Sequence, residues 1–330
     1  MQDSAARSLS AAVATHVVQA SFDELPPAAV HAARRALLDA LGVMLAATGL
    51  SAEAAAYRGQ DAEHARGGCR VLGSRDQCSA AKAAFANGAL AHALDFGDCF
   101  DSGPAHPHAA LVPALMAIAD LRPSTQLGER YLGSEVSFKP WPACRGTHAY
   151  IEAALELRQF VDPAEIRSVS AGIGPIQQML ARPLPPWPAP ISATEAKFSI
   201  PYAVSVAFAD GKVDLGSFDQ AHLGDERIRQ FAARVEATEV AGWGREHAAS
   251  GRLAVTLADG SRHEVEVLEA LGAPGRPLSD EALVAKFVAC CEHAADPHPV
   301  ARSGELASLI LHGRPEIAVS SLFDRLGSAA

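Results

Sequence analysis

The stretch Phe138-Lys139-Pro140-Trp141-Pro142-Ala143-Cys144-Arg145-Gly146-Thr147-His148 carries the strongest structural signal in the chain. Its prolines hold the first half extended, and the apolar pattern that follows predicts a helix from about Thr147 to Phe160. Arg145 and His148 therefore fall at or near a helix N-terminus. Backbone N–H groups and the helix dipole favour an anion at that position.

A second block, His92-Ala93-Leu94-Asp95-Phe96-Gly97-Asp98-Cys99, lies upstream and is closed by His106-Pro107-His108. It follows a helix predicted from Ser79 to Leu94 and precedes one predicted from about Ala109 to Leu121. A loop between two buried helices is a common place for functional groups. Together the two blocks gather acids, imidazoles, a lysine and an arginine, which suits proton transfer on a carboxylate-bearing substrate.

Outside these blocks the chain predicts a helical part followed by a smaller α/β part. A first helix begins at Pro26 and Pro27, and Gly49 is predicted to end it in the C′ position. The later predicted elements are strands at 136–139, 166–176, 235–240, 253–257 and 263–267, a hairpin turn at Asp259-Gly260, and helices at 196–209 and 279–290.

Composition and charge exclude several classes of protein. The chain has 330 residues, 49% of them hydrophobic and 20% charged, with a net charge of −10. An acidic balance argues against a nucleic-acid or anionic-membrane partner, and no apolar run approaches the ~20 residues of a membrane span. The N-terminus does not resemble a signal peptide. The six cysteines lack zinc or iron–sulfur spacing and suit a reducing compartment, so we expect a cytoplasmic protein.

The two blocks resemble the signatures of the MmgE/PrpD family, whose best-known members are 2-methylcitrate dehydratase and cis-aconitate decarboxylase. Those signatures are H-x-x-D-F-D-D-T followed by H-P, and later F-K-P-Y-P-x-C-R-x-T-H. Residues 196–204 and 275–287 resemble two further family segments. All four blocks come in the family's order, which makes the resemblance specific.

The resemblance implies a mainly α fold, in which an all-helical domain is interrupted by a smaller α/β lid-like domain. We place the helical domain at residues 1–125 and about 270–330, and the lid-like domain at about 126–269. Family members carry a long helical stretch between the H-P and F-K-P blocks, whereas here residues 120–128 nearly fuse the two. The family's second catalytic histidine and an additional lysine lie in that stretch, so no residue here inherits those roles.

The resemblance implicates Asp95, Cys99, His106, Lys139 and Tyr202 as site residues, and the chemistry of the two blocks adds Asp98, Arg145 and His148. We expect the catalytic residues to be Asp95, His106, Lys139 and Tyr202, and the substrate-binding residues to be Asp98, Cys99, Arg145 and His148. An imidazole titrates near neutral pH, which makes His106 the candidate base or acid. Lys139 suits a substrate carboxylate or proton donation. Two departures weaken the match: Gly97 replaces an Asp, and Cys99 replaces a Thr and loses a good hydroxyl donor.

Each assignment has a structural alternative. Asp95 and Asp98 also fit Asx turns that bind loop amides, and His106 fits a helix cap. Lys139 fits an exposed charge on an edge strand, and Tyr202 fits a core position packed with Phe198.

The expected function is a cofactor-independent lyase of the 2-methylcitrate dehydratase type, acting on a hydroxylated di- or tricarboxylate. Decarboxylation or epimerisation of a related polycarboxylate shares the same carbanion-like step. The alternative is an inactive family member that binds carboxylates or only oligomerises. His106-x-His108 with Asp95, Asp98 and Asp101 also fits a metal site. The resemblance implies no cofactor, and a homodimer is the expected assembly.

Overall fold

The computed structural model describes residues 22–57, 68–74, 77–101, 105–121, 136–186, 189–296 and 300–313. Predictions about Met1–Ala20 and about most of residues 120–128 lie outside these ranges. The chain divides into two compact units. The first holds residues 1–93, 107–136 and 279–330, and the second holds residues 94–106 and 137–278. No helix in the described ranges has the length and apolar character that would span a bilayer.

The described helices are numbered in chain order as α1 Pro27–Leu50, α2 Ala52–Ala56, α3 Ala80–His92, α4 Pro107–Leu121, α5 His148–Leu157, α6 Ala193–Lys197, α7 Ile200–Asp210, α8 Gln220–Leu223, α9 Glu226–Ala232, α10 Asp280–Glu292 and α11 Val300–His312. The described strands are β1 Cys69–Arg70, β2 Gln77–Cys78, β3 Ile166–Ile173, β4 Val235–Glu239, β5 Gly251–Leu257 and β6 Arg262–Val267.

The first unit is helical. Helix α1 packs along α10 and α3, and α3 packs along α4. A buried ion pair joins α1 to α10, because Lys286 Nζ lies 2.5 Å from Asp39 Oδ1. The short β1–β2 ribbon packs on α3 and α4. The predicted helical character of this part of the chain is therefore confirmed in the described residues.

The predicted role of Gly49 is wrong. Helix α1 continues to Leu50 and is capped by Ser51, so Gly49 lies inside the helix. A Cβ at Gly49 would lie 2.2 Å from the carbonyl oxygen of His293. The glycine is therefore required for close packing against residues 293–295.

The second unit is built around a four-stranded sheet in the order β4-β3-β5-β6. Strands β3 and β4 run parallel, and the other two pairings are antiparallel. Helix α5 packs on β5 and β6 and also contacts α7. The predicted Asp259-Gly260 hairpin turn is confirmed between β5 and β6, where Gly260 has a φ of +85°.

Two predicted elements of this unit are wrong. Residues 136–139 form no strand, since only Ser137 makes a β-bridge, to Cys99. Pro140 and Pro142 lack the N–H groups that would continue a ladder. The helix predicted at 196–209 is split into α6 and α7. Ser199 caps α7 by accepting from the Tyr202 N–H, and Pro201 lies in the first turn of that helix.

The loop after α3 belongs to the second unit. The predicted helical domain at residues 1–125 includes this loop, whereas residues 94–106 cluster with residues 137–278. Two backbone hydrogen bonds explain this difference. The Cys99 N–H donates to the Ser137 carbonyl at 2.8 Å, and the Ser137 N–H donates to the Cys99 carbonyl at 2.7 Å. This bridge holds the loop beside Lys139.

Candidate active site

Asp95 lies at the centre of the candidate site and has an unusual backbone conformation. Its φ of +48° is the only positive value for a non-glycine residue in the described part of the chain. Aspartate tolerates this left-handed region better than most residues, at a cost of roughly 1–2 kcal/mol. Such strain is commonly found at functional sites. It occurs here within the second unit, directly after Leu94.

Lys139 pairs with Asp95 in two ways. Its Nζ lies 2.6 Å from Asp95 Oδ1 and donates to the Asp95 carbonyl oxygen at 3.0 Å. The lysine side chain is buried, and the Asp95 side chain is 12% exposed. The alternative of an exposed edge-strand charge is therefore wrong for Lys139. Removing one partner of such a buried pair typically costs about 3–5 kcal/mol, because the other charge is left uncompensated.

The second carboxylate oxygen of Asp95 is buried and accepts no hydrogen bond from the described residues. A buried polar atom without a hydrogen bond is uncommon in native proteins and calls for an explanation. This oxygen is a free acceptor at the centre of the site.

Lys197 is a third member of the cluster and is not among the predicted site residues. Its Nζ donates to the Leu94 carbonyl oxygen at 2.8 Å and lies 5.7 Å from the centre of the Phe218 ring. Burial lowers the pKa of Lys197 to about 8; the nearby Lys139 lowers it as well, and Asp95 opposes the change. Its presence in the Ala-Lys-Phe-Ser segment was the signal that could have identified it.

His106 contributes an imidazole with a defined proton position. Its Nδ1 lies 2.6 Å from the main-chain carbonyl oxygen of Asp98. A carbonyl can only accept, so Nδ1 must carry the proton and Nε2 carries the lone pair of the neutral ring. A ring nitrogen of His106 and a carboxylate oxygen of Asp95 lie within 4.8 Å of each other. Asp98 thus orients His106 through its backbone, and its own side chain is buried.

Two thiols adjoin the cluster. Burial raises the pKa of Cys99 to about 12, although Lys139 opposes this effect. Burial also raises the pKa of Cys144, whose N–H donates to the Lys197 carbonyl at 3.0 Å. Both side chains therefore remain thiols at neutral pH. As a substrate-binding residue Cys99 can offer only a weak S–H donor.

The guanidinium of Arg145 is directed at protein acceptors. Its Nη1 donates to the Leu271 carbonyl at 2.9 Å and lies 3.4 Å from His148 Nδ1. Its Nη2 donates to the Ala270 carbonyl at 3.0 Å and to Asp101 Oδ2 at 3.3 Å. Its Nε donates to Asp101 Oδ1 at 3.3 Å. Arg145 therefore ties the loop of residues 94–106 to residues 270–271.

His148 supports Arg145. Its ring is fully buried, and its Nε2 donates to the Ala143 carbonyl at 3.1 Å, which leaves Nδ1 to accept from Arg145. Trp141 packs edge-on against the ring with centroids 5.3 Å apart. This arrangement positions the arginine.

The structure places Tyr202 in the core of the second unit. Its side chain is fully buried, its hydroxyl donates to the Ser217 carbonyl at 2.9 Å, and its ring packs 5.8 Å from that of Phe218. Phe218 in turn lies under Lys197. Core packing, the structural alternative for Tyr202, describes this position, although the partner is Phe218 and not the exposed Phe198.

The structure therefore brings Asp95, His106 and Lys139 together and adds Lys197. The cluster offers one imidazole lone pair, two ammonium groups and one carboxylate within a largely buried region. Such a set can accept a proton, donate a proton and balance the negative charge of an acid substrate.

Comparison with known proteins identifies the family. No individual curated protein matches the chain. The model of the MmgE/PrpD N-terminal domain matches residues 11–137, and the model of the MmgE/PrpD C-terminal domain matches residues 141–310. The C-terminal model alone covers more than half of the chain. This protein belongs to the MmgE/PrpD family.

Proposed function

We propose that this protein is a cofactor-independent lyase that removes water from a hydroxylated di- or tricarboxylate. The observation that carries the proposal is the cluster around Asp95, where His106 and two buried lysines surround one carboxylate. Membership of a family that includes lyases and dehydratases supports the same reaction class.

In the proposed reaction His106 Nε2 removes a proton from the carbon next to a substrate carboxylate. The electron pair forms a carbon–carbon double bond as the carbon–oxygen bond to the hydroxyl group breaks. The Lys197 ammonium donates its proton to the departing hydroxide, which leaves as water. A pKa near 8 keeps Lys197 mostly protonated at neutral pH and makes it a good donor.

Asp95 and Lys139 prepare the site for these transfers. Lys139 supplies positive charge that stabilises the carbanion-like intermediate, and burial strengthens that interaction. Asp95 holds Lys139 through Oδ1, and its free Oδ2 accepts a hydroxyl hydrogen of the substrate. We retain Asp98 and Cys99 as neighbours of the substrate, and we reassign Tyr202, Arg145 and His148 to positioning roles.

A panel of citrate-like hydroxy acids tests the proposal, because dehydration creates a conjugated double bond that absorbs ultraviolet light. We expect turnover by the wild-type protein and loss of at least 100-fold in His106→Ala, the usual size of a general acid–base contribution. His263→Ala is the matched control, since this imidazole lies on β6 outside the cluster. A folded wild-type protein that is inert toward the whole panel would refute the proposal.

The test of Lys139 must separate a loss of activity from a loss of stability. Lys139→Met leaves a buried Asp95 charge without its partner and should destabilise the protein. The double variant Asp95→Asn with Lys139→Met removes both charges and should recover much of that stability while staying inactive. Recovery of activity together with stability would show that the pair is only structural.

A second candidate is an inactive family member that binds carboxylates. The observation that favours it is Arg145, whose donors already contact protein acceptors. Calorimetric binding of citrate analogues without turnover would support this candidate. Measurable turnover would exclude it.

The remaining reactions of this class are distinguished by their products. A decarboxylase releases carbon dioxide, and an epimerase conserves the mass of the substrate. A metal requirement, which the proximity of Asp95 and His106 would also fit, is tested by assaying activity before and after treatment with a chelator.

A further inference from the structure

The ribbon of β1 and β2 places two cysteines opposite each other in the first unit. Cys69 and Cys78 are partners in this antiparallel ladder. Directly opposite residues in such a ladder have Cα atoms about 4.5 or 5.5 Å apart, with side chains on the same face. Both separations lie within the range of roughly 4.4–6.8 Å that a disulfide spans. The backbone is therefore already arranged for a bond between these two residues.

The surroundings of the two thiols also suit a bond. Cys69 is fully buried in a small apolar cluster, and Cys78 packs against the same cluster. The other members have short side chains: Val71, Ala80, Ala83, Ala84, Ala86 and Ala117. The two cysteines thus belong to a cluster whose other described apolar members all have short side chains.

We propose that Cys69 and Cys78 form an oxidisable pair that closes to a reversible disulfide by exchange with a small-molecule disulfide such as oxidised glutathione. Cys78 is partly exposed and reacts first. Its thiolate attacks one sulfur of oxidised glutathione and releases one glutathione thiolate. The Cys69 sulfur then loses its proton, attacks the Cys78 sulfur and expels the second glutathione. Two protein thiols are oxidised and one glutathione disulfide is reduced.

The bond would fasten a segment that packs on two helices. Asn87 of α3 already holds the ribbon, since it donates to the Arg70 carbonyl at 3.1 Å and accepts from the Leu72 N–H at 2.9 Å. The Cys69 sulfur contacts the Ala117 carbonyl of α4 at 3.3 Å. A disulfide would restrict the unfolded chain around this ribbon and so raise resistance to urea.

Peptide mapping tests the pair directly. The native protein is incubated with oxidised glutathione, blocked by alkylation, digested with trypsin and analysed by mass spectrometry. Trypsin cleaves after Arg66, Arg70, Arg75 and Lys82, so residues 67–70 and 76–82 stay together only through a Cys69–Cys78 bond. We expect this linked species, its loss on reduction, and a higher urea midpoint for the oxidised protein.

Cysteine variants test the order of the two exchange steps. Cys69→Ala should stop at a mixed disulfide between glutathione and Cys78, and Cys78→Ser should leave Cys69 unmodified. The double variant Cys290→Ala with Cys291→Ala is the control and should still yield the linked peptides. Two results would overturn the proposal: a native wild-type protein that retains the mixed disulfide at Cys78, or linked peptides that form only after unfolding.

Discussion

At the scale of single residues, the site depends on the conformation of Asp95. Its left-handed φ lies at the point where the chain leaves α3 and enters the loop of residues 94–106. In this conformation one residue offers Lys139 both a carboxylate oxygen and a carbonyl oxygen. The preceding carbonyl, that of Leu94, binds Lys197. Two consecutive residues thus anchor both buried lysines.

Lys197 should set the alkaline limit of activity. If its ammonium is the proton donor, the rate should fall as the pH rises through about 8, where the group loses its proton. Lys197→Arg keeps a proton at all accessible pH values, so any remaining activity should lack this alkaline limb. Steady-state rates between pH 6 and 10 would show this, and an unchanged limb in the variant would contradict the assignment.

Unfolding linked to Lys197 would not produce the same limb. The folded-state pKa of about 8 is below the ordinary value of 10.5, so the unfolded chain binds the proton more tightly between these values. The contribution of Lys197 to the free energy of unfolding therefore rises with pH in this window and is lost as the pH falls through 8. As the pH rises through this window, activity should therefore fall while the contribution of Lys197 to stability rises.

Arg145 should behave as a positioning residue. Arg145→Lys removes the planar set of donors that reaches Asp101, Leu271 and Ala270, and it should lower the free energy of unfolding by about 2–3 kcal/mol. Urea denaturation measures this change. Arg252→Lys, on the exposed face of β5, is the control and should change stability by less than ~1 kcal/mol. An equal loss of stability in both variants would contradict the positioning role of Arg145.

At the scale of structural elements, the segment around Gly272 positions Lys139. The Phe138 N–H donates to the Gly272 carbonyl at 3.0 Å, and Gly272 has a φ of +91°. A Cβ on Gly272 would lie 2.0 Å from the Phe138 carbonyl oxygen. Backbone contacts with Gly272 thus hold the segment that carries Lys139. Position 272 accepts only glycine, because any Cβ there would collide with Phe138.

Gly272→Ala should displace this segment, lowering stability by several kcal/mol and greatly reducing activity. Gly260→Ala is the matched control, because Gly260 has a similar φ of +85° but open space around the added Cβ. The control should lose only about 1–2 kcal/mol, the cost of the left-handed conformation. Thermal or urea unfolding measures both variants, and equal losses would exclude the steric explanation.

The sequence predicted where helices and strands occur better than where one helix ends and the next begins. The hairpin of β5 and β6 follows from local alternation and a turn signal, and both are confirmed. The break between α6 and α7 was missed, although Ser199 and Pro201 form a local start signal. Ala196 and Lys197 at the end of α6 are buried, and so are residues 200–208 of α7, so the apolar pattern continues across the break and conceals it.

At the scale of the whole molecule, one face of α4 exposes three large apolar side chains. Leu111, Leu115 and Ile118 lie on one face of this helix and are 53%, 58% and 56% exposed. Their spacing matches one stripe of a helix, and exposed apolar stripes commonly mark an interface. We propose this face as the interface of the expected homodimer, with a second copy of the chain as its partner.

We expect light scattering of the purified protein to give twice the mass of one chain at micromolar concentration. Leu115→Glu should shift the protein toward the monomer, because a charge in an apolar interface is costly to bury. Val300→Glu is the control, since this residue is similarly exposed in the same unit and lies on a different helix. A wild-type monomer would contradict the prediction.

The sequence by itself determined the family, the helical and α/β parts of the chain, and most of the residues at the candidate site. These follow from ordered motifs and local periodicity, which depend on residues close together in the chain. Only the tertiary structure decided which residues meet. Lys139 reaches Asp95 across 44 positions and Lys197 reaches Leu94 across 103, while Tyr202 and Arg145 turn to protein partners. Long-range contacts of this kind arise from packing of distant segments, and no local pattern encodes them.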